Sequence, residues 1–217
     1  MATAKSKPRI RKAQGGKKPS DKDPLSWLYL NPQPVTDGTA FGVLRKSFGG
    51  RVNSAYEFGW RKAHVGPDFT ESDKADWTPN VERVEIVLPV KADDLLSDPE
   101  TLLRQVDQYA APNEAALLTY LTLPLQECER IHVAFEMARS FAHRIAKERE
   151  LATLVILHSP GAIGTAYPLH AHLLIVPRRI SGLGLRHGPF DQPLIRDEGQ
   201  EVLRKLWEDH RSGGGEP

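Results

Sequence analysis

Three apolar runs in this chain stop at a proline, and that punctuation limits the folds open to it. Residues 81–88 (VERVEIVL) stop at Pro89, residues 116–123 (ALLTYLTL) at Pro124, and residues 169–176 (LHAHLLIV) at Pro177. Proline has no N–H for a strand ladder, so each run reads as a strand with a fixed end. Residues 152–157 (ATLVIL) and 40–45 (AFGVLR) add two more strand candidates. Between the strands the apolar period changes. Residues 98–110 read as a helix, with Asp98 as N-cap, Pro99 at the first helical position, and Leu102, Leu103 and Val106 as its apolar stripe. Residues 126–149 repeat Ile131, Ala134, Phe135, Ala138, Phe141, Ala142 and Ile145 at steps of three and four. Residues 198–209 read as a last helix, and 52–62 as a helix opening after a turn at Phe48-Gly49-Gly50-Arg51. The runs 152–157 and 169–176, joined by loop 159–168, read as an antiparallel hairpin. The predicted class is α+β, a mostly antiparallel sheet with flanking helices.

Charge is unevenly spread. The net charge is +1 over 217 residues. Residues 1–22 carry eight Lys or Arg against Asp21 alone, and the remaining 195 carry 21 basic and 27 acidic side chains. We expect a basic disordered arm at 1–24, a folded body at 25–210 and a flexible tail at 211–217. The arm reads equally as a solubilising tail or as a phosphate-binding segment. No run of 18 apolar residues predicts a membrane span, and no apolar segment follows the basic N-terminus as in a secretory signal. The one cysteine, Cys128, excludes an internal disulfide and fits a reducing, cytoplasmic setting.

Three of the eight histidines stand out by position. His170 and His172 are two apart in a predicted strand, so their imidazoles project from the same face. His158 ends the preceding strand, and a hairpin would bring it beside them. Three neutral imidazoles with open coordination positions suit Lewis-acid chemistry. An HxH pair in a strand also arises without a metal, and spacing alone leaves both readings open.

The segment 151–180 resembles the metal-binding hairpin of MobA/MobL-type plasmid relaxases, single-tyrosine members of the His-hydrophobic-His endonuclease group. The matching elements are Ile156, Leu157 and His158, then Gly161 and Gly164, then Pro168, His170 and His172, and finally Arg178 and Arg179. The preceding order is similar too: a strand ending Leu88-Pro89, a helix, a strand ending Leu123-Pro124, then the long helix. In residues 47–61 (SFGGRVNSAYEFGWR), Tyr56 matches the family's nucleophile. The strand 116–123 carries Thr119 and Tyr120 where relaxases often have a Glu, and the loop between His158 and His170 is longer than usual for the family.

The resemblance implies a relaxase-like fold and metal-dependent nicking and religation of one DNA strand in plasmid mobilisation. His158, His170 and His172 would hold a divalent metal, Mg²⁺ or Mn²⁺, with imidazole leaning toward Mn²⁺. Tyr56 would attack the scissile phosphate, and Tyr167 competes for that role by its nearness to the histidines. Tyr109 and Tyr120 read as packing residues. Arg45, Lys46, Arg51, Arg61, Lys62, Arg178 and Arg179 could line a path for single-stranded DNA. The implied partners are single-stranded DNA at an origin of transfer and accessory mobilisation proteins, with no membrane. Two other readings stay open. One is a non-catalytic relaxase-like DNA-binding protein. The other is a histidine-triad-like nucleotide hydrolase, whose third His position is Leu174 here.

Overall fold

A computed structural model of the chain describes residues 19–21, 23–29, 38–65, 77–159, 168–180, 184–185 and 188–213. The basic residues 1–18, the tail residues 214–217, Tyr167, Gly161 and Gly164 lie outside the described residues. The strands are β1 (Ala40–Leu44), β2 (Ser47–Phe48), β3 (Arg51–Val52), β4 (Arg83–Val87), β5 (Leu118–Pro124), β6 (Thr153–His158) and β7 (His170–Ile175). The helices are α1 (Ala55–Ala63), α2 (Pro99–Tyr109), α3 (Ile131–Arg149) and α4 (Glu198–Arg211).

Five strands form one antiparallel sheet in the order β1-β5-β7-β6-β4. The class is α+β, as expected. The expected hairpin is present as β6 paired with β7. The two shortest strands, β2 and β3, pair across Gly49 and Gly50, which both take positive φ, as a tight hairpin turn requires. One face of the sheet is covered by α3 and α4. There Phe135, Phe141, Leu203 and Trp207 pack with Leu121, Leu157 and Leu173. The other face is covered by α1 and α2. There Phe58, Leu102 and Leu103 pack with Tyr120, Leu154 and Leu174. No described helix is long and apolar enough to cross a membrane.

Local chemistry explains most boundaries and three differences. Asp98 caps α2 by accepting the N–H of Thr101, with Pro99 at the first helical position. Helix α1 starts at Ala55, three residues later than expected, because Ser54 is its N-cap and accepts the N–H of Glu57. Pro124 closes β5 from inside, as its last residue. Helix α3 starts at Ile131 and not at 126. The N–H of Leu125 is drawn to the carbonyl of Leu169 beyond the sheet, and a turn closes at Cys128 before the helix can begin. Residues 19–21 and 23, assigned above to the arm, touch the body: Trp27 Nε1 donates to the Ser20 carbonyl, and Arg61 to the Asp21 carbonyl.

Candidate metal centre

The register of the central strands builds the site. His158 at the end of β6 lies directly opposite His170 at the start of β7. His172 lies opposite Ile156 on one side and Thr122 of β5 on the other. Strand alternation then puts all three imidazoles on the α1–α2 face of the sheet, at one end of the ladder. Their ring centroids stand 5.2 Å (His158–His170), 4.7 Å (His158–His172) and 4.9 Å (His170–His172) apart. One nitrogen from each lies within 4.8 Å of the others.

The second nitrogen of each ring is engaged by protein. His158 Nε2–H donates to the Lys62 carbonyl at 2.8 Å, and His170 Nδ1–H donates to the Pro168 carbonyl at 2.8 Å. A carbonyl only accepts, so those nitrogens carry the proton and the opposite nitrogens keep a lone pair. His172 Nδ1 instead faces two hydroxyls, Tyr120 OH at 2.9 Å and Thr122 Oγ1 at 3.1 Å. Burial, chiefly, drives the His158 pKa down to about 4, and that of His172 well below the usual histidine value. Burial lowers His170 as well. All three are therefore neutral near pH 7, which is the form that binds metal. The three histidines together can hold a metal ion. An all-imidazole set suits later first-row ions better than Mg²⁺.

Lys62 brings a positive charge to this region. Its side chain is buried, with its ammonium 5.0 Å from the centroid of the Tyr120 ring, and burial pulls its pKa to about 8 against the charge of Asp23. It adds positive potential beside all three histidines, which a bound anion would offset.

The other sequence-predicted residues make contacts of their own. Tyr56 sits in the first turn of α1, and its backbone N–H donates to the Asp107 carboxylate of α2. Its ring lies 5.4 Å from that of Trp77, with the Arg104 guanidinium 4.0 Å from its centroid. Helix α1 thus joins Tyr56 at its start to the Lys62 carbonyl near its end, six residues or roughly 9 Å along the axis. Arg45 lies over the Tyr29 ring, and Lys46 is 3.9 Å from Asp107. Arg51 pairs with Asp21 and Glu57. Arg178 pairs with Glu114 at 2.8 Å, and Arg179 is exposed. The structure therefore unites the three histidines, and Arg61 lies on α1 next to Lys62, whose carbonyl holds His158.

The fold has a solved counterpart. It is described as the molecular basis of vancomycin resistance transfer in Staphylococcus aureus. The match has a TM-score of 0.60 at 22% identity and covers 82% of this chain and 93% of that one. A likeness at that identity carries the fold. No family model and no curated protein sequence matches the chain.

Tyr120, Thr122 and Lys62 are neighbours of the histidines that no local sequence pattern marks as such. The sequence marks Tyr120 as a packing residue. It does pack, with a buried ring, but its hydroxyl reaches His172. The available signal was Tyr120-Leu121-Thr122, two hydroxyls on one strand face, which becomes readable only once β5 is known to neighbour β7.

Proposed function

We propose that this chain is a relaxase-like protein of the MobA/MobL type, which nicks and religates one DNA strand in plasmid mobilisation or conjugative transfer. The observation that carries the reading is the convergence of His158, His170 and His172 on one sheet face, within a fold shared with the resistance-transfer structure. Its substrate would be single-stranded DNA at an origin of transfer, met in the cytoplasm with accessory mobilisation proteins. The basic arm at 1–24 would add phosphate contacts to the body at 25–210.

A bound divalent ion, Mn²⁺ in preference to Mg²⁺ on this donor set, would supply Lewis-acid charge to a non-bridging phosphate oxygen. The chain's own groups do the rest. The Lys62 and Pro168 carbonyls fix the His158 and His170 rings. Lys62 adds a second positive charge for the phosphate. Tyr56 is the proposed nucleophile. Its phenol oxygen would attack phosphorus and lose its proton, the P–O3′ bond would break, and the leaving 3′ oxygen would take up a proton. The product is a 5′-phosphotyrosyl link and a free 3′-hydroxyl, and reversal religates the strand. The Arg104 guanidinium over the ring would hold Tyr56 in place and add positive charge near the phosphate. Arg45, Lys46, Arg51, Arg61, Arg178 and Arg179 are proposed contacts along the strand.

The packing of Tyr56 against Trp77 and Arg104 favours one second reading, a DNA-binding protein of the same fold without nicking. A covalent-adduct assay separates the two. Incubation with Mn²⁺ and single-stranded oligonucleotides spanning candidate origins should give a protein–DNA adduct that Tyr56→Phe abolishes. Loss on Tyr167→Phe instead would move the nucleophile. Retained DNA binding with no adduct from the unaltered chain would leave the binding reading.

A further inference from the structure

The three histidines are held in two different ways. His158 and His170 rest on carbonyls, which accept and never donate, so their lone-pair nitrogens are fixed in advance. His172 rests on a pair of hydroxyls. Thr122 Oγ1 donates to Tyr120 OH at 2.7 Å, and both oxygens are within 3.1 Å of His172 Nδ1. A hydroxyl rotates and serves either way. When the phenol proton points at Nδ1, the neutral ring of His172 carries its proton on Nε2, and that nitrogen has no lone pair for an ion. When the two hydroxyls turn, they accept the proton of Nδ1–H, and Nε2 becomes a ligand.

We propose that Tyr120 and Thr122 are positioning residues that set the metal-binding tautomer of His172. The inference rests on the reading of the three histidines as a metal site. Proton balance is simple. The ring stays neutral, one proton leaves Nε2 and one arrives at Nδ1 by exchange with water, and neither hydroxyl is ionised. Burial explains why the pair matters. Tyr120 is 2% exposed and His172 7% exposed, so an Nδ1–H without an acceptor would be left unsatisfied in a dry site. Two of the three ligands are thus preset, and the third is set on loading.

The test uses Zn²⁺ as a diamagnetic probe on the full chain, with affinity from calorimetry and the His172 tautomer from ¹⁵N shifts of the imidazole. The unaltered chain should bind one Zn²⁺ and show Nδ1 protonated in the loaded form. Tyr120→Phe combined with Thr122→Val removes both acceptors and should weaken binding about 10- to 100-fold, the usual effect of losing an outer-shell partner. Thr122→Ser should restore the unaltered affinity. Should the double variant fail to fold, Tyr120→Phe alone should still weaken binding and alter the His172 shifts. Equal affinity and an unchanged tautomer in the Tyr120 and double variants would overturn the proposal. No Zn²⁺ binding by the unaltered chain would instead overturn the metal reading beneath it.

Discussion

The two faces of the sheet carry different side chains under similar cover. Toward α3 and α4 the filling is aliphatic and aromatic, with Phe135, Phe141 and Trp207 almost wholly buried, and the Thr119 hydroxyl there is bonded to the Leu194 carbonyl. Toward α1 and α2 the same sheet buries Lys62, His172 and the Tyr120 hydroxyl among its apolar residues. Buried polar groups cost free energy unless they are bonded, and a buried lysine costs more. The contrast teaches that the dry face stabilises the sheet, so the other face can hold groups whose value lies in chemistry.

The largest expected break of that contrast is Phe141→Ala. The ring is fully buried against Trp207, so its loss should cost about 3–5 kcal/mol in urea unfolding. The fraction that remains folded should bind metal as before. A cost near that of a surface change would deny that this face carries the stability.

Acid should act on the opposite face. The folded pKa of His158 is depressed to about 4 from a usual value near 6.5, so the unfolded chain takes up that proton first. The stability due to the neutral ring is complete above pH 6.5 and lost as pH falls toward 4. Melting curves of metal-free protein across that window should fall with pH, and His158→Asn should flatten the slope.

A smaller effect is expected from Asp107→Ala. Its carboxylate accepts from the Ser54 hydroxyl and from the N–H groups of Ala55 and Tyr56, capping α1 from α2. The change should cost about 1–2 kcal/mol by thermal unfolding. It should also weaken metal binding, because α1 carries the Lys62 carbonyl that holds His158. An unchanged metal affinity would show that the polar face does not depend on the placement of α1. The smallest change in stability, about 0.5 kcal/mol or less, is expected for Tyr56→Phe. On the proposed nicking reading, the same change should abolish the DNA adduct.

Strands were legible in the sequence where proline ended them, and helices where a cap preceded an apolar stripe, as at Asp98. The start of α3 was not, because Arg130 offers no side-chain cap and the apolar period of the helix gives no sign of the backbone bond from Leu125 to Leu169. The HxH pair and His158 were legible because strand alternation is local and one hairpin joins them. The Tyr120–His172 bond joins strands 52 positions apart in sequence, so no local pattern carries it. The same holds for the Lys62 carbonyl on His158, which links helix and sheet across 96 positions.

The pairing of His158 with His170 has a consequence for how the chain reaches its fold. A slip of one residue between β6 and β7 would turn His170 and His172 to the far side of the sheet from His158. A hairpin slipped by one residue no longer offers three nitrogens to one ion. An ion present during refolding would therefore select correctly paired hairpins and hold them while the remaining strands add, and the yield of native chain should rise with it.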